Sequence, residues 1–262
     1  MSEPTPDRDS SRPAVDIDTE ALDTATGARG SVYALAARAL SDPDPELYAA
    51  LADGSIDSAV ASLVDQAGLD IEAPDLTVED DRDTLAARYN DLFVVGYSEV
   101  IDGTDGTIDS QGPPVSLYES TYRSDVSWND VNLDLARAYE FFGCEIGGEE
   151  RRHHDHIRLE LEFVGYLCRV AAANDAIGKR GDDPNVNRAR LDFHDRHLTI
   201  LVSGLRERID DEPGTGFYGR FARFLDEFIT ADVEDLATRL DVGAGSEREH
   251  VQQTGSNAGG NS

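Results

Sequence analysis

The chain has 262 residues and carries 53 acidic side chains against 23 basic ones, so its formal net charge is -30. Nucleic-acid binding normally needs a basic patch, and the sequence shows none, so we expect no nucleic-acid partner. No apolar run approaches the roughly 18–20 residues that a membrane-spanning helix needs, so we expect no membrane insertion. The polar segment 1–20 lacks the apolar core of a secretory signal, and the expected location is the cytoplasm.

The acidic residues are spread along the whole chain, and lysine occurs only once, at Lys179. A surface of this kind repels itself strongly at low salt, whereas the Debye length falls to about 3 Å near 1 M salt. The composition therefore favours a protein adapted to a salt-rich cytoplasm, typical of a halophilic archaeon. A surface specialised for a basic partner is the alternative.

Composition divides the chain into three parts. The first 27 residues are rich in Asp, Ser, Thr and Pro and are predicted to be disordered, and residues 242–262 are predicted to form a disordered polar tail. Residues 28–241 show helical periodicity nearly throughout, without runs that alternate as strands do. We therefore predict an all-α fold, a single-domain bundle of about eight to ten helices.

Capping residues mark several of the predicted helix starts. Ser31 is expected to cap the first helix, and Pro45 suits the first position of the next. Thr77 with Asp80 resembles a capping box, and Ser127 begins a later helix. Each start is followed by apolar residues three and four positions apart, which predicts amphipathic helices that pack around one core.

Two further segments stand out. Residues 96–116 are rich in Gly, Asp, Ser, Thr and Pro and are predicted to form a long loop. The segment 155–173 is apolar over more than half of its circumference and is predicted to be the central helix. Asp155 stands at its start, where an aspartate side chain can cap the first amide groups.

Five histidines fall in two clusters, each containing an aspartate, and three interpretations are open. The first is metal ligation. The second is a metal-dependent His-Asp phosphohydrolase, in which His154, Asp155 and either His194 or His197 would hold the metal and a bound water would attack the substrate. The third is helix capping and ordinary surface polarity. The residues alone do not decide between them.

Several short motifs follow one another along the chain: YNDLF at 89–93, YESTY at 118–122, YEFFG at 139–143, DHIRLELEF at 155–163, and later steps at 197–198 and 217–218. Their order resembles the TorD/DmsD family of redox-enzyme maturation chaperones, which are relatives of NarJ. The similarity covers about residues 30–235 and is strongest from 85 to 165. One departure is that His154 stands where the family often has proline before the Asp-His step.

The resemblance implies an all-helical cytoplasmic protein without catalysis, cofactor or metal of its own. Members of that family bind the twin-arginine signal peptide and the apo-form of a molybdenum-cofactor reductase. The implied partner is therefore the catalytic subunit of a dimethyl sulfoxide, trimethylamine N-oxide or nitrate reductase type of enzyme. Family members also exchange helices between chains, so a homodimer is an open expectation.

The family's Asp-His loop is implicated in binding the client peptide. The resemblance therefore implies a client-binding role for Asp155 and His156. Weaker candidates come from the aromatic motifs on either side of the predicted loop: Tyr89, Leu92, Phe93, Tyr118, Glu119 and Tyr122.

Overall fold

The computed structural model describes residues 22–96, 98–100, 108–110, 112–146, 153–174 and 186–256. Most of these residues form α-helices, so the prediction of an all-α, single-domain fold is confirmed. Two short antiparallel strands, β1 (Ser98–Val100) and β2 (Ile108–Ser110), lie within the predicted long loop. The helices are α1 (Thr24–Ala39), α2 (Pro45–Ala52), α3 (Ser55–Ala67), α4 (Arg82–Phe93), α5 (Trp128–Phe141), α6 (Ile157–Asn174), α7 (Val186–Phe193), α8 (Thr199–Asp211) and α9 (Phe217–Ser256).

Two of the predicted helix starts are wrong. Ser31 lies inside α1, which begins at Thr24 because the Asp23 carboxylate accepts the capping hydrogen bond at 3.0 Å. Thr77 lies before α4, where Asp81 caps the helix. In both places an aspartate a few residues away provides the cap, and Asp caps at least as well as Ser or Thr.

The other predicted starts are confirmed. Pro45 occupies the first position of α2, and the Asp44 carboxylate accepts from the Leu47 amide at 2.8 Å. The Ser127 hydroxyl caps α5 by accepting from the Asp130 amide at 3.2 Å. These caps satisfy backbone donors that have no partner inside the helix.

The helical region extends beyond the predicted domain limits at both ends. Helix α1 begins inside the segment 1–27, and α9 continues to Ser256, within the segment expected to be a tail. Residues 242–256 contain no proline, and extending an existing helix costs much less than starting one.

Helix α6 lies at the centre of the bundle, as the sequence predicts, and packs closely against α1. A Cβ added to Gly30 would lie 2.9 Å from the Cβ of Cys168 and 3.0 Å from the Gly165 carbonyl oxygen. The absence of side chains at Gly30 and Gly165 therefore permits this contact. Buried Leu161, Val164 and Leu167 extend the core along α6.

Helices α7 and α8 are joined without a break by a π-helical segment, His194–Leu198. A π turn inserts an extra residue into a helix and is often found at functional sites. His194 and His197 are both buried in this segment, but they contact different groups.

Among the described residues, no single helix is both long and apolar enough to cross a membrane. Helices α2 and α3 meet that requirement only when taken together, and the chain bends by 72° between them.

Candidate functional site

Residues 115–123, called the strap below, run across the start of α6. The Ile157 amide donates to the Leu117 carbonyl at 2.8 Å, and the Glu119 amide donates to the Asp155 carbonyl at 2.9 Å. These bonds fix the strap against the Asp-His step that precedes α6. Two motifs that are more than thirty residues apart in the sequence thereby form one site.

The Asp155 carboxylate holds the strap and does not cap its own helix, so that prediction is wrong. Its Oδ2 accepts from the Ser120 hydroxyl at 2.6 Å and from the Ser120 amide at 3.3 Å. Helix α6 begins at Ile157, so the capping position belongs to His156, whose Nδ1 accepts from the Arg158 amide at 3.2 Å. Asp155 is fully buried and presents no surface to a partner.

Glu119 is also fully buried, and an arginine and a histidine contact its carboxylate. The Arg123 guanidinium lies 2.6 Å from Oε1, and Nδ1 of His197 lies 3.0 Å from Oε2. The other ring nitrogen of His197 lies 3.2 Å from the Asp134 carboxylate. His197 therefore bridges two carboxylates, one on the strap and one on α5.

Glu160 lies one turn into α6 and is fully buried beside these groups. Within the described part of the chain, neither of its carboxyl oxygens has a hydrogen-bond partner, and Oδ1 of Asp155 also has none. Burial raises the pKa of Glu160 well above its ordinary value, and the nearby Glu119 and Asp155 raise it further. Burial without a hydrogen-bond partner therefore favours the protonated form of Glu160. We call Glu119, Arg123, Asp155, Glu160 and His197 the strap cluster.

Four aromatic rings lie above this cluster, at the surface. The centroid of Tyr118 is 5.4 Å from that of His153 and 5.0 Å from that of His156, and Trp128 is 5.9 Å from His153. Tyr118 is 38% exposed and Trp128 is 45% exposed. Burial lowers the pKa of His156, so this ring is neutral at pH 7 and above. We call these four residues the aromatic shelf.

The remaining predicted site residues lie in the protein interior. Tyr89, Leu92 and Phe93 are buried in α4, where the Tyr89 and Phe93 rings contact Tyr218 of α9. Tyr122 is half-buried, and its hydroxyl donates to a strap carbonyl at 2.7 Å. Of the eight predicted residues, Tyr118 is exposed, and His156 and Tyr122 are partly exposed.

The sequence analysis missed Arg123, Trp128 and Glu160 as site residues. Glu160 had a recognisable signal, because it falls on the same helical stripe as Ile157 and Val164, which are both buried. Burying an acidic side chain on the apolar face of a helix costs free energy, so an acidic residue at such a position stands out in the sequence.

A cavity of about 530 Å³ opens between α5 and α6. Most of its lining is apolar or aromatic, with acidic residues and one arginine among the lining residues. The side chains that line it are Tyr139, Cys144, Glu145, Ile146, Leu159, Glu162, Phe163, Tyr166 and Arg169.

The ligand set of the alternative phosphohydrolase is not assembled. Asp155 bonds to the strap, His194 lies 3.3 Å from the Tyr33 hydroxyl, and His197 lies between two carboxylates. Across the described residues, no group of three or more His, Cys, Asp or Glu side chains could hold a metal ion.

Comparisons with known proteins identify a family and several relatives of the chain. The family model described as nitrate reductase delta subunit matches residues 50–200. The chain is 31% identical over 149 residues to the selenate reductase assembly chaperone protein of Thauera selenatis, covering 57% of this chain and 68% of that protein. It is 33% identical over 150 residues to the chlorate reductase assembly chaperone protein of Ideonella dechloratans, covering 56% and 68%.

Two further matches extend over more of the chain. The perchlorate reductase assembly chaperone protein of Dechloromonas aromatica (strain RCB) is 25% identical over 214 residues, covering 81% of this chain and 92% of that protein. A solved structure from Archaeoglobus fulgidus, described as a redox enzyme maturation protein, covers 77% of this chain and 93% of its own, with 18% identity and a TM-score of 0.43.

The family model and the curated relatives confirm the resemblance to the NarJ-related maturation proteins, while placement in the TorD/DmsD branch stays a prediction. The curated relatives are assembly chaperones and not catalysts, so the expectation that the chain is not an enzyme is confirmed. The chain belongs to the nitrate reductase delta subunit family.

Proposed function

We propose that the protein is an assembly chaperone for the catalytic subunit of a molybdenum-cofactor oxidoreductase. It binds the subunit's twin-arginine signal peptide and its apo-form before export. The family membership carries this proposal, together with relatives that are named as assembly chaperones of selenate, chlorate and perchlorate reductases. All three of those substrates are oxyanions, which favours an oxyanion reductase as the client.

We place the client arginines on the aromatic shelf. Guanidinium groups stack on aromatic faces and are less strongly hydrated than ammonium groups, so arginine suits such a surface better than lysine. Tyr118 and Trp128 supply exposed ring surface in a chain whose net charge is -30. Stacking acts at short range and persists where salt screens the longer-range attraction.

The α5–α6 cavity is suited to the apolar part of the signal peptide. His156, Leu159, Phe163 and Tyr166 follow one another along a single face of α6, so the aromatic shelf and the cavity lie along the same stripe. A helical signal peptide that runs along this stripe would place its arginines at the start of α6 and its apolar segment over the cavity.

Asp155 and Glu119 stabilise the aromatic shelf without lying on its surface. Both are fully buried, so they act by fixing the strap that carries Tyr118. The buried Tyr89, Leu92 and Phe93 belong to the packing on which the start of the strap rests, since the Val115 amide donates to the Leu92 carbonyl at 3.0 Å. Tyr122 packs the other end of the strap against Gly204 of α8.

Calorimetric titration of a synthetic twin-arginine signal peptide in molar KCl tests the proposal. The wild type should bind the peptide and should bind a version with two lysines several-fold more weakly. Tyr118→Ala should weaken binding about tenfold, because a cation–π contact contributes about 0.5–2 kcal/mol and 1.4 kcal/mol corresponds to a factor of ten.

Phe141→Ala is the matched control, because Phe141 is an exposed aromatic residue of α5 outside the aromatic shelf. This variant should bind as the wild type does. No binding of the arginine peptide to the wild type would overturn the proposed function. Equal losses in the two variants would overturn the placement on the shelf.

We also propose that the protein works in a salt-rich cytoplasm. The net charge of -30 supports this, because self-repulsion is unscreened at low ionic strength. The melting temperature should be higher in molar KCl than in low-salt buffer. Equal melting temperatures would contradict this proposal.

A further inference from the structure

We propose that Glu160 is a positioning residue for the client-binding surface, and that its buried proton makes signal-peptide binding depend on pH. This inference rests on the proposed function. Its starting point is a fully buried carboxyl group, neither oxygen of which has a hydrogen-bond partner within the described part of the chain. Burying an ionised carboxylate without a partner costs so much that such groups are usually protonated instead.

The groups that face Glu160 come from each element around it. The strap contributes Glu119 and Arg123, the turn before α6 contributes Asp155, and α5 contributes Tyr139. Of these, Arg123 alone is an arginine, and its guanidinium binds Glu119 at 2.6 Å. Arg123 lowers the pKa of Glu160, but burial and the two acidic neighbours outweigh it, so that pKa stays raised.

Loss of the proton would act directly on the strap. The new charge would lie beside Glu119 and Asp155, the two carboxylates that hold the strap in place, and like charges repel at short range. Tyr118 lies on the strap next to Glu119, so the aromatic shelf would be displaced with it. Signal-peptide affinity should therefore fall as the pH rises through the raised pKa of Glu160.

Glu160→Gln tests this inference, because glutamine has nearly the same shape and cannot ionise. The matched control is Glu207→Gln, because Glu207 is an exposed glutamate of α8 outside the strap, the aromatic shelf and the cavity. Signal-peptide affinity is measured from neutral pH upward, where the peptide arginines stay charged and His156, whose pKa burial lowers, does not gain a proton.

The wild type and Glu207→Gln should lose affinity by up to about tenfold per pH unit above the pKa of Glu160. Glu160→Gln should match them at neutral pH and then stay flat. Parallel losses in all three proteins, or a flat wild-type profile, would overturn the inference.

A second measurement needs no client. A folded protein that keeps a proton which the unfolded chain releases loses stability as the pH rises toward the raised pKa. The melting temperature of Glu160→Gln should therefore exceed that of the wild type by a margin that grows with pH. Identical pH slopes of the melting temperature in the two proteins would contradict the protonation of Glu160, even if the peptide binds. A failure of peptide binding in every protein would instead count against the proposed function alone.

Discussion

The protein contains two buried polar networks that compensate a buried carboxyl group in different ways. In the first, the Asp232 carboxylate of α9 accepts from Arg29 at 2.9 Å, from Arg190 at 2.9 Å and from the Tyr33 hydroxyl at 2.7 Å. In the strap cluster, the carboxyl oxygens of Glu160 have no partner within the described residues. We call the first set, which also includes His194, the closed network.

The closed network keeps its charges because they are paired. Burial by itself would raise the pKa of Asp232, but Arg190 and the other neighbours outweigh it and hold that pKa below the ordinary value. Burial lowers the pKa of His194 to about 4, so this ring is neutral and adds no charge. A paired network of this kind joins α1, α7, the π segment and α9, and we assign it to stability.

In the strap cluster, Glu160 has no partner among the described residues, and its raised pKa favours the protonated form. A proton is exchangeable, whereas a guanidinium group fixed on another helix is not. Pairing therefore distinguishes the structural network from the cluster beside the proposed binding surface, where a carboxyl group is unpaired. Two experiments test this distinction, beginning with the largest expected effect.

Asp232→Ala should destabilise the protein by about 3–5 kcal/mol, because it leaves the buried guanidinium groups of Arg29 and Arg190 without their shared carboxylate. Denaturant titration followed by circular dichroism in high salt gives the free energy of unfolding. Glu234→Ala removes an exposed acidic side chain from the same helix and should change it little. Similar losses in both variants would refute the structural assignment.

Gly204→Ala should disturb the strap with a smaller effect on stability. A Cβ at this position would lie 2.5 Å from Cδ1 of Tyr122, so the ring and the strap must shift, at a cost of about 1–3 kcal/mol. Gly27→Ala is the control, because its Cβ would lie 3.9 Å from Ala172, an ordinary contact. We expect several-fold weaker signal-peptide binding in Gly204→Ala only. Unchanged binding in both variants would show that the strap does not contribute to client binding.

Local rules account for much of the fold. Pro45 and Ser127 begin helices where the sequence predicts them, because a cap or a fixed φ angle depends on a few neighbouring residues. The errors at Ser31 and Thr77 have the same origin, since the nearby Asp23 and Asp81 can also act as caps. Propensity alone does not rank competing caps that are a few residues apart.

The site was harder to predict because it depends on contacts between distant segments. The structure brings Tyr118, Glu119 and Asp155 together, and their role in client binding stays a prediction. The sequence analysis assigned Asp155 to capping its own helix, whereas its carboxylate bonds to Ser120, which is 35 residues away. The burial of Glu119 and Asp155 likewise follows from packing, which no local pattern encodes.

The most direct test of the central claim uses Trp128, the single tryptophan of the chain, which lies on the aromatic shelf. Its fluorescence is recorded while the twin-arginine signal peptide is added to the full chain in molar KCl. A saturable change with the affinity found by calorimetry is the predicted result, and the two-lysine peptide should require a several-fold higher concentration. Calorimetric binding that leaves the Trp128 emission unchanged would contradict the account, because the peptide would then bind away from the aromatic shelf.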